Sequence, residues 1–418
     1  MDRLVPIPLG GQSNSLDTPV REPTDFLQHL ASQSEVLGCL RWLGEFQILA
    51  CIPLAGSVPI KDVADLSGVP KTLLARIIRL MATSGFLHEL QPDYVAHTPL
   101  SAQFVTNPAL LDAAMFLAES VAPAALSMAL ATQRFGDSQR SDESAYNLAL
   151  NTNKPFHTAR DERPKLSRQW SAYLHYAGGL HAASENVADI FAQLNWDSPN
   201  ISIAYTRIVE VGAQSTTMAR KLADLYSNFH ILVQISDPKP ASAAALLLLK
   251  QNRLDTSSNY TDHGPDLNPR VTVTNRAVGT RQTATDAAIY ILHLPLASSS
   301  PLTSAGANGT LSELQAHLSV LRSNNGLLLV LTARLLPKPG TLPNPEIEAI
   351  ARSRSLTLRQ LANENEMEML ELLELIDAVR DSMGRLVVVN KLCSRNNLVV
   401  ALVVKYQVYG DADDIMEL

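Results

Sequence analysis

The stretch Ile208-Val209-Glu210-Val211-Gly212-Ala213-Gln214-Ser215-Thr216 constrains the fold of this chain more than any other. A short apolar strand runs into a turn, Met218 to Tyr226 then reads as a helix, and Phe229 to Ile235 reads as a second strand. Strand, glycine turn, helix and strand form the opening unit of a nucleotide-binding α/β sheet, in which absent side chains let the backbone approach a ligand. Gly212 is the only glycine left in this turn. The pattern therefore predicts the sheet without the glycine-rich loop.

Beyond that unit the alternation continues. Val271 to Val273, Ala287 to Leu294 and Leu327 to Leu331 are apolar runs of strand length, as expected for parallel strands buried on both faces. Leu386 to Asn390 and Leu398 to Tyr406 read as a closing hairpin, and Ser257 to Pro269 and Leu296 to Gly309 as polar, turn-rich connections. Parallel strands followed by a terminal antiparallel pair make a class I methyltransferase-like Rossmann sheet over residues 201–410.

Methyl transfer from S-adenosylmethionine on such a sheet needs three things. The turn must lack side chains, yet Ala213, Gln214 and Ser215 place β-carbons where the cofactor would lie. A carboxylate must close strand two to meet the ribose hydroxyls, yet the strand ends Val233-Gln234-Ile235-Ser236, with Asp237 one position late. A general base must stand near the substrate, and His293, within the apolar run Tyr290 to Leu294, reads as a structural histidine. The expectation is a degenerate loop, Glu210, Gly212, Ala213, Gln214 and Ser215, with no catalytic residues, cofactor or metal.

At 418 residues the chain is long enough for two or three folded units. Residues 1–25, rich in Pro, Gly, Ser and Asn, read as a disordered tail, and 411–418 as a second one. From Phe26, apolar residues at Leu27, Leu30, Leu37, Leu40 and Leu43 recur at helical spacing. Two short helices then meet at Gly68 and Pro70, and Gly85 to Leu87 and Tyr94 to Thr98 suggest a β-wing. Residues 26–107 thus predict a winged-helix domain of the dimerisation type. Lys71, Arg76 and Arg79 could give it a DNA-facing side, but 34 Lys plus Arg against 41 Asp plus Glu argue against phosphate-backbone binding.

Residues 108–200 read as a helical connecting region, in which Arg160, Arg163, Lys165 and Arg168 look like a solvated helix face rather than a partner site. The acidic stretch Glu364 to Glu374 reads as an amphipathic helix with its acids facing water. Three cysteines, none in a Cys-x-x-Cys pair, fit a reducing compartment and exclude a disulfide framework. No secretory signal and no unbroken apolar run of about 18 residues is visible, so no membrane partner is expected.

One family resemblance is carried by specific residues. Cys39-Leu40-Arg41-Trp42-Leu43-Gly44-Glu45-Phe46-Gln47-Ile48-Leu49-Ala50-Cys51, Val63-Ala64-Asp65, Gln103 to Ala113, Arg134-Phe135-Gly136, Arg163-Pro164-Lys165-Leu166 and Val211-Gly212-Ala213-Gln214-Ser215 resemble the fungal polyketide-cluster transcriptional co-activators typified by the aflatoxin-pathway co-activator. The likeness runs from about residue 36 to 406. It implies an O-methyltransferase-like fold, a regulatory role in an aromatic polyketide gene cluster, a nuclear location with the cytoplasm left open, and a pathway-specific zinc-cluster (Zn2Cys6) transcription factor as partner. Since such a module needs six cysteines, this chain would rely on the partner to read DNA. O-methyltransferases of this architecture commonly dimerise, which makes a homodimer the expected state. The competing expectation is an O-methyltransferase-like enzyme, or a pseudo-enzyme acting on a polyketide intermediate.

Overall fold

The computed structural model of the chain describes residues 22–178, 187–194, 206–213, 216–236, 268–294, 305–332, 335–340, 342, 345–394 and 399–410. The chain divides into two compact units, Met1–Asn107 and Pro108–Leu418.

In the first unit, helix α1 (Pro23–Glu45) is followed by β1 (Ser57–Pro59), α2 (Ile60–Ser67), α3 (Lys71–Thr83), β2 (Leu87–Gln91), β3 (Tyr94–His97) and α4 (Pro99–Thr106). The strands form an antiparallel sheet in the order β1-β3-β2. Gly68 ends α2 at φ 71°, a left-handed cap that glycine adopts without strain. On α3, Leu74, Ala75, Ile77, Ile78 and Met81 recur at helical spacing and bury one stripe against Leu43, Ile48, Ile60 and Leu87.

Two sequence expectations change here. Helix α1 starts at Pro23, within the stretch assigned to the tail, because proline suits the first helical turn. The apolar face predicted from Phe26 onward is not buried along its length: only Leu43 is, while Phe26, Leu27 and Leu30 stand exposed. Helical periodicity reports that a face is apolar, not that this chain covers it.

The second unit opens with helices α5 (Pro108–Phe116), α6 (Ala122–Leu126), α7 (Met128–Phe135), α8 (Ala145–Ala149), α9 (Phe156–Glu162), α10 (Pro164–Tyr176) and α11 (Val187–Gln193). A π-helical turn, Leu117–Val121, joins α5 to α6. The run Pro108–Leu126 has the length and apolarity of a membrane span, yet Phe116 is fully buried in the unit's own core and Asp112 pairs with Arg168 at 2.6 Å. Phe116, Tyr146, Phe156, Trp170 and Tyr173 pack ring on ring in that core.

The sheet follows: β4 (Thr206–Ala213), α12 (Thr217–Leu225), β5 (Phe229–Ser236), β6 (Val271–Arg276), β7 (Ile289–His293), α13 (Ala305–Asn324), β8 (Leu327–Thr332), α14 (Pro345–Ala362), α15 (Met369–Asp377), β9 (Gly384–Cys393) and β10 (Val400–Val408). Its order is β6-β5-β4-β7-β8-β10-β9. The first five neighbours run parallel, and β10 pairs antiparallel with both β8 and β9. Because side chains alternate along a strand, Ile208, Ile231, Val233, Ile289 and Ile291 fill one face, and Val209, Val211, Tyr290, Leu292 and Leu328 the other. Both faces are covered, which is why the strands read as unbroken apolar runs.

The acidic stretch also differs from its expectation. Helix α15 begins only at Met369, and its apolar Leu370 is exposed. Glu366 lies before the helix and is buried, with its carboxylate taking two bonds from Arg354 of α14, from Nε at 2.5 Å and from an Nη at 3.0 Å. A third Arg354 nitrogen donates to the Gly178 carbonyl at 2.7 Å.

Candidate functional site

The carboxyl ends of β4 and β7 bring together Glu210, Gly212 and His293. Glu210 shares its face of the sheet with Ile208, and the parallel register of β4 with β7 sets it diagonally beside His293. His293 Nε2 lies 2.8 Å from Glu210 Oε1, and since a carboxylate only accepts, the imidazole donates there. The histidine is partly exposed and the glutamate almost wholly buried. Its second oxygen, Oε2, is buried and has no hydrogen-bond partner among the described residues. Leaving a buried acceptor unpaired costs about 1–3 kcal/mol, and more for a charged group.

Gly212 is the extra residue of a bulge. Val211 pairs with Gln234 and Ala213 with Ile235, leaving Gly212 unpaired at φ 75°. A β-carbon there would lie 3.0 Å from the His293 carbonyl oxygen. Glycine is therefore required by the close approach of β7 and by the backbone conformation. Ala213 is buried in the core, and Gln214, Ser215 and Asp237 lie outside the described residues.

On the opposite face a second polar cluster is almost fully connected. The amide of Gln234 donates to Gln282 Oε1 at 3.0 Å and Gln282 returns the bond at 2.9 Å. The Ala284 N–H also donates to Gln282 Oε1, at 3.1 Å. His317 of α13 donates from Nδ1 to the Glu313 carbonyl at 2.7 Å, which leaves Nε2 as an acceptor for Gln282 Nε2 at 3.2 Å. Glu313 takes bonds from Arg276 at 2.9 and 3.1 Å and from the Gly279 N–H at 2.6 Å. Burial holds the His317 pKa below its ordinary value, with Glu313 opposing the shift and Arg276 adding to it.

The sequence did not reveal this cluster. Its members are separated by tens of residues and match no motif; the one local sign was a pair of glutamines, Gln234 and Gln282, in otherwise apolar or turn-rich segments.

Two of the three candidate DNA-facing cations, Lys71 and Arg79, are already paired with acids. Lys71 Nζ is 2.8 Å from Asp93, while Arg79 reaches both Glu89 at 3.2 Å and Asp93 at 3.0 Å. A backbone bond from Asp93 lowers the Glu89 pKa most, and the Lys71 ammonium lowers that of Asp93. Arg76 is exposed on α3. In the second unit, Arg160 pairs with its neighbour Asp161 on α9, while Lys165 and Arg168 of α10 tie that helix to Glu119 and Asp112. Among the described residues, no group of three or more His, Cys, Asp or Glu side chains could hold a metal ion.

A parallel sheet closed by an antiparallel hairpin, with a glycine bulge ending its central strand, defines an O-methyltransferase-like α/β fold. Solved structures agree. A pericyclic reaction enzyme aligns with a TM-score of 0.62 at 13% identity, covering 93% of this chain and 90% of that one. The mitomycin 7-O-methyltransferase MmcR aligns with a TM-score of 0.60 at 15% identity, covering 92% and 98%. At these identities the likeness concerns the fold alone. No protein-family model matches the sequence.

Sequence relatives are much nearer. The transcriptional coactivator nsrH of Aspergillus novofumigatus is 54% identical over 411 residues, covering 94% of this chain and 86% of that protein. The notoamide biosynthesis cluster transcriptional coactivator notR of an Aspergillus species is 49% identical, covering 93% and 85%. The monodictyphenone cluster transcriptional coactivator mdpA of Emericella nidulans is 45% identical, covering 95% and 87%. The chain belongs to this family of transcriptional coactivators of secondary-metabolite gene clusters.

Proposed function

We propose that this protein is a non-enzymatic transcriptional coactivator of an aromatic polyketide gene cluster, acting in the nucleus with a pathway-specific Zn2Cys6 factor. The observation that carries the reading is 54% identity to a named coactivator over 94% of the chain. The geometry supports it. Gly212 serves the close approach of β4 to β7, and Gln234, near the end of the strand after which a ribose-binding carboxylate is required, is engaged by Gln282. The residues present do not fit S-adenosylmethionine, and Glu210, Gly212, Ala213, Gln214 and Ser215 are a vestige of its loop.

The first unit is a winged helix used for homodimerisation, not for reading DNA. Its exposed Phe26, Leu27 and Leu30 suit a self-complementary contact, and Lys71 and Arg79 are held by acids. Co-precipitation of the chain with the cluster's zinc-cluster factor, and transcript levels after deletion, test the reading. Loss of one chemical step with normal transcripts defeats it.

One observation favours the alternative of an enzyme or pseudo-enzyme on the same scaffold. Glu210 Oε2 retains unused accepting capacity at the sheet's carboxyl end. Calorimetric titration with S-adenosylmethionine separates the two: a micromolar Kd, about 8 kcal/mol of binding, supports the alternative.

A further inference from the structure

Helix α7 buries none of its residues, yet it presents Met128, Ala131 and Phe135 as one stripe at helical spacing. That stripe forms the apolar wall of a cleft of about 380 Å3, whose other side is the carboxyl end of α14 with Arg359 and Gln360. The volume falls within the roughly 300–1,000 Å3 of small-molecule sites.

Two donors in the cleft, on Gln360 and Arg359, have a weak or water-exposed partner, while the Glu143 carboxylate in the same lining is occupied by the Ser138 hydroxyl at 2.6 Å. Gln360 is 6% exposed, and the contact made by its amide nitrogen is with the Met128 sulfur at 3.6 Å, a weak acceptor. Arg359 is anchored by the Gln139 side chain at 2.9 Å and the Asn363 carbonyl at 3.4 Å. Its remaining Nη meets Asp137 at 2.9 Å, but the Asp137 side chain is 91% exposed. An ion pair so open to water contributes little, and a better-placed carboxylate can displace it.

We propose that this cleft binds a compact aromatic carboxylic acid. The carboxylate replaces Asp137 on the Arg359 fork and accepts from the Gln360 amide, while the ring lies against Phe135 and the polarisable Met128 sulfur. Neither Glu210 nor His293 lines this cleft. The inference concerns binding alone, so it stands whether or not the coactivator reading does.

The test uses 2-naphthoate and its neutral analogue 2-naphthamide as calorimetric probes of the full chain, with melting curves to confirm folding. Saturable one-site binding of 2-naphthoate is expected, with 2-naphthamide at least about tenfold weaker because the charge-assisted bond is absent. Asp137→Asn should tighten 2-naphthoate severalfold by removing the competing carboxylate, an effect that a purely structural ion pair does not produce. Arg359→Met should abolish the preference for the acid. Failure of 2-naphthoate to bind saturably to either wild type or Asp137→Asn overturns the proposal, and so does equal affinity for acid and amide in wild type.

Discussion

Two polar clusters sit on opposite faces of one sheet, and they differ in how completely they are satisfied. The cluster of Gln234, Gln282, His317 and Glu313 leaves each of these side chains bonded, and among the described residues the neighbouring Arg276 Nε is its one unpaired buried atom. The pair of Glu210 and His293 leaves a buried carboxylate oxygen open. A closed network holds strands and helix together, whereas an open one keeps an acceptor with nothing in the described chain to meet it. The two sites therefore differ in kind: one is a satisfied polar network within the packed sheet and helix, the other a buried pair with accepting capacity left over.

The contrast is broken most severely at Gln282. Gln282→Leu strands the Gln234 amide, His317 Nε2 and the Ala284 N–H together, and should lower unfolding free energy by about 3 kcal/mol in urea titrations. A loss below about 1 kcal/mol would mean that the network is not a structural pin.

Gly212→Ala comes next. The positive φ and the approach of the His293 carbonyl predict a loss of about 1–2 kcal/mol by the same titration. An unchanged midpoint would show that the bulge relaxes freely.

His317 makes one cluster sensitive to pH. Its folded pKa lies below the ordinary value of about 6.5, so the unfolded chain binds the proton first as pH falls. The contribution to stability is full above about pH 6.5 and declines below it. His317→Gln should flatten that acid limb in melts taken across the window.

Glu210→Gln should have the smallest effect, within about 1 kcal/mol, since it removes a charge from a buried site and retains the shape. A large loss would place Glu210 in the scaffold and erase the contrast between the two faces.

Much of the sheet was legible because buried parallel strands need apolar residues at successive positions. Ile208 to Val211, Ile231 to Ile235 and Leu327 to Leu331 each fall within observed strands. Strand β1, three residues ending in Pro59, carries too short a signal to be read. The Glu210–His293 contact and the glutamine network depend on strand register, which no local pattern encodes. Glu366 was misplaced for a related reason: its partner Arg354 lies on the preceding helix, and amphipathic spacing is blind to that pairing.

The most direct measurement of the central claim is made on a strain in which this gene is deleted, with transcripts of the neighbouring biosynthetic genes and the metabolites quantified together. The account predicts a collapse of the transcripts across the cluster and disappearance of the whole product series. Normal transcripts, with accumulation of one intermediate lacking a single modification, would contradict it.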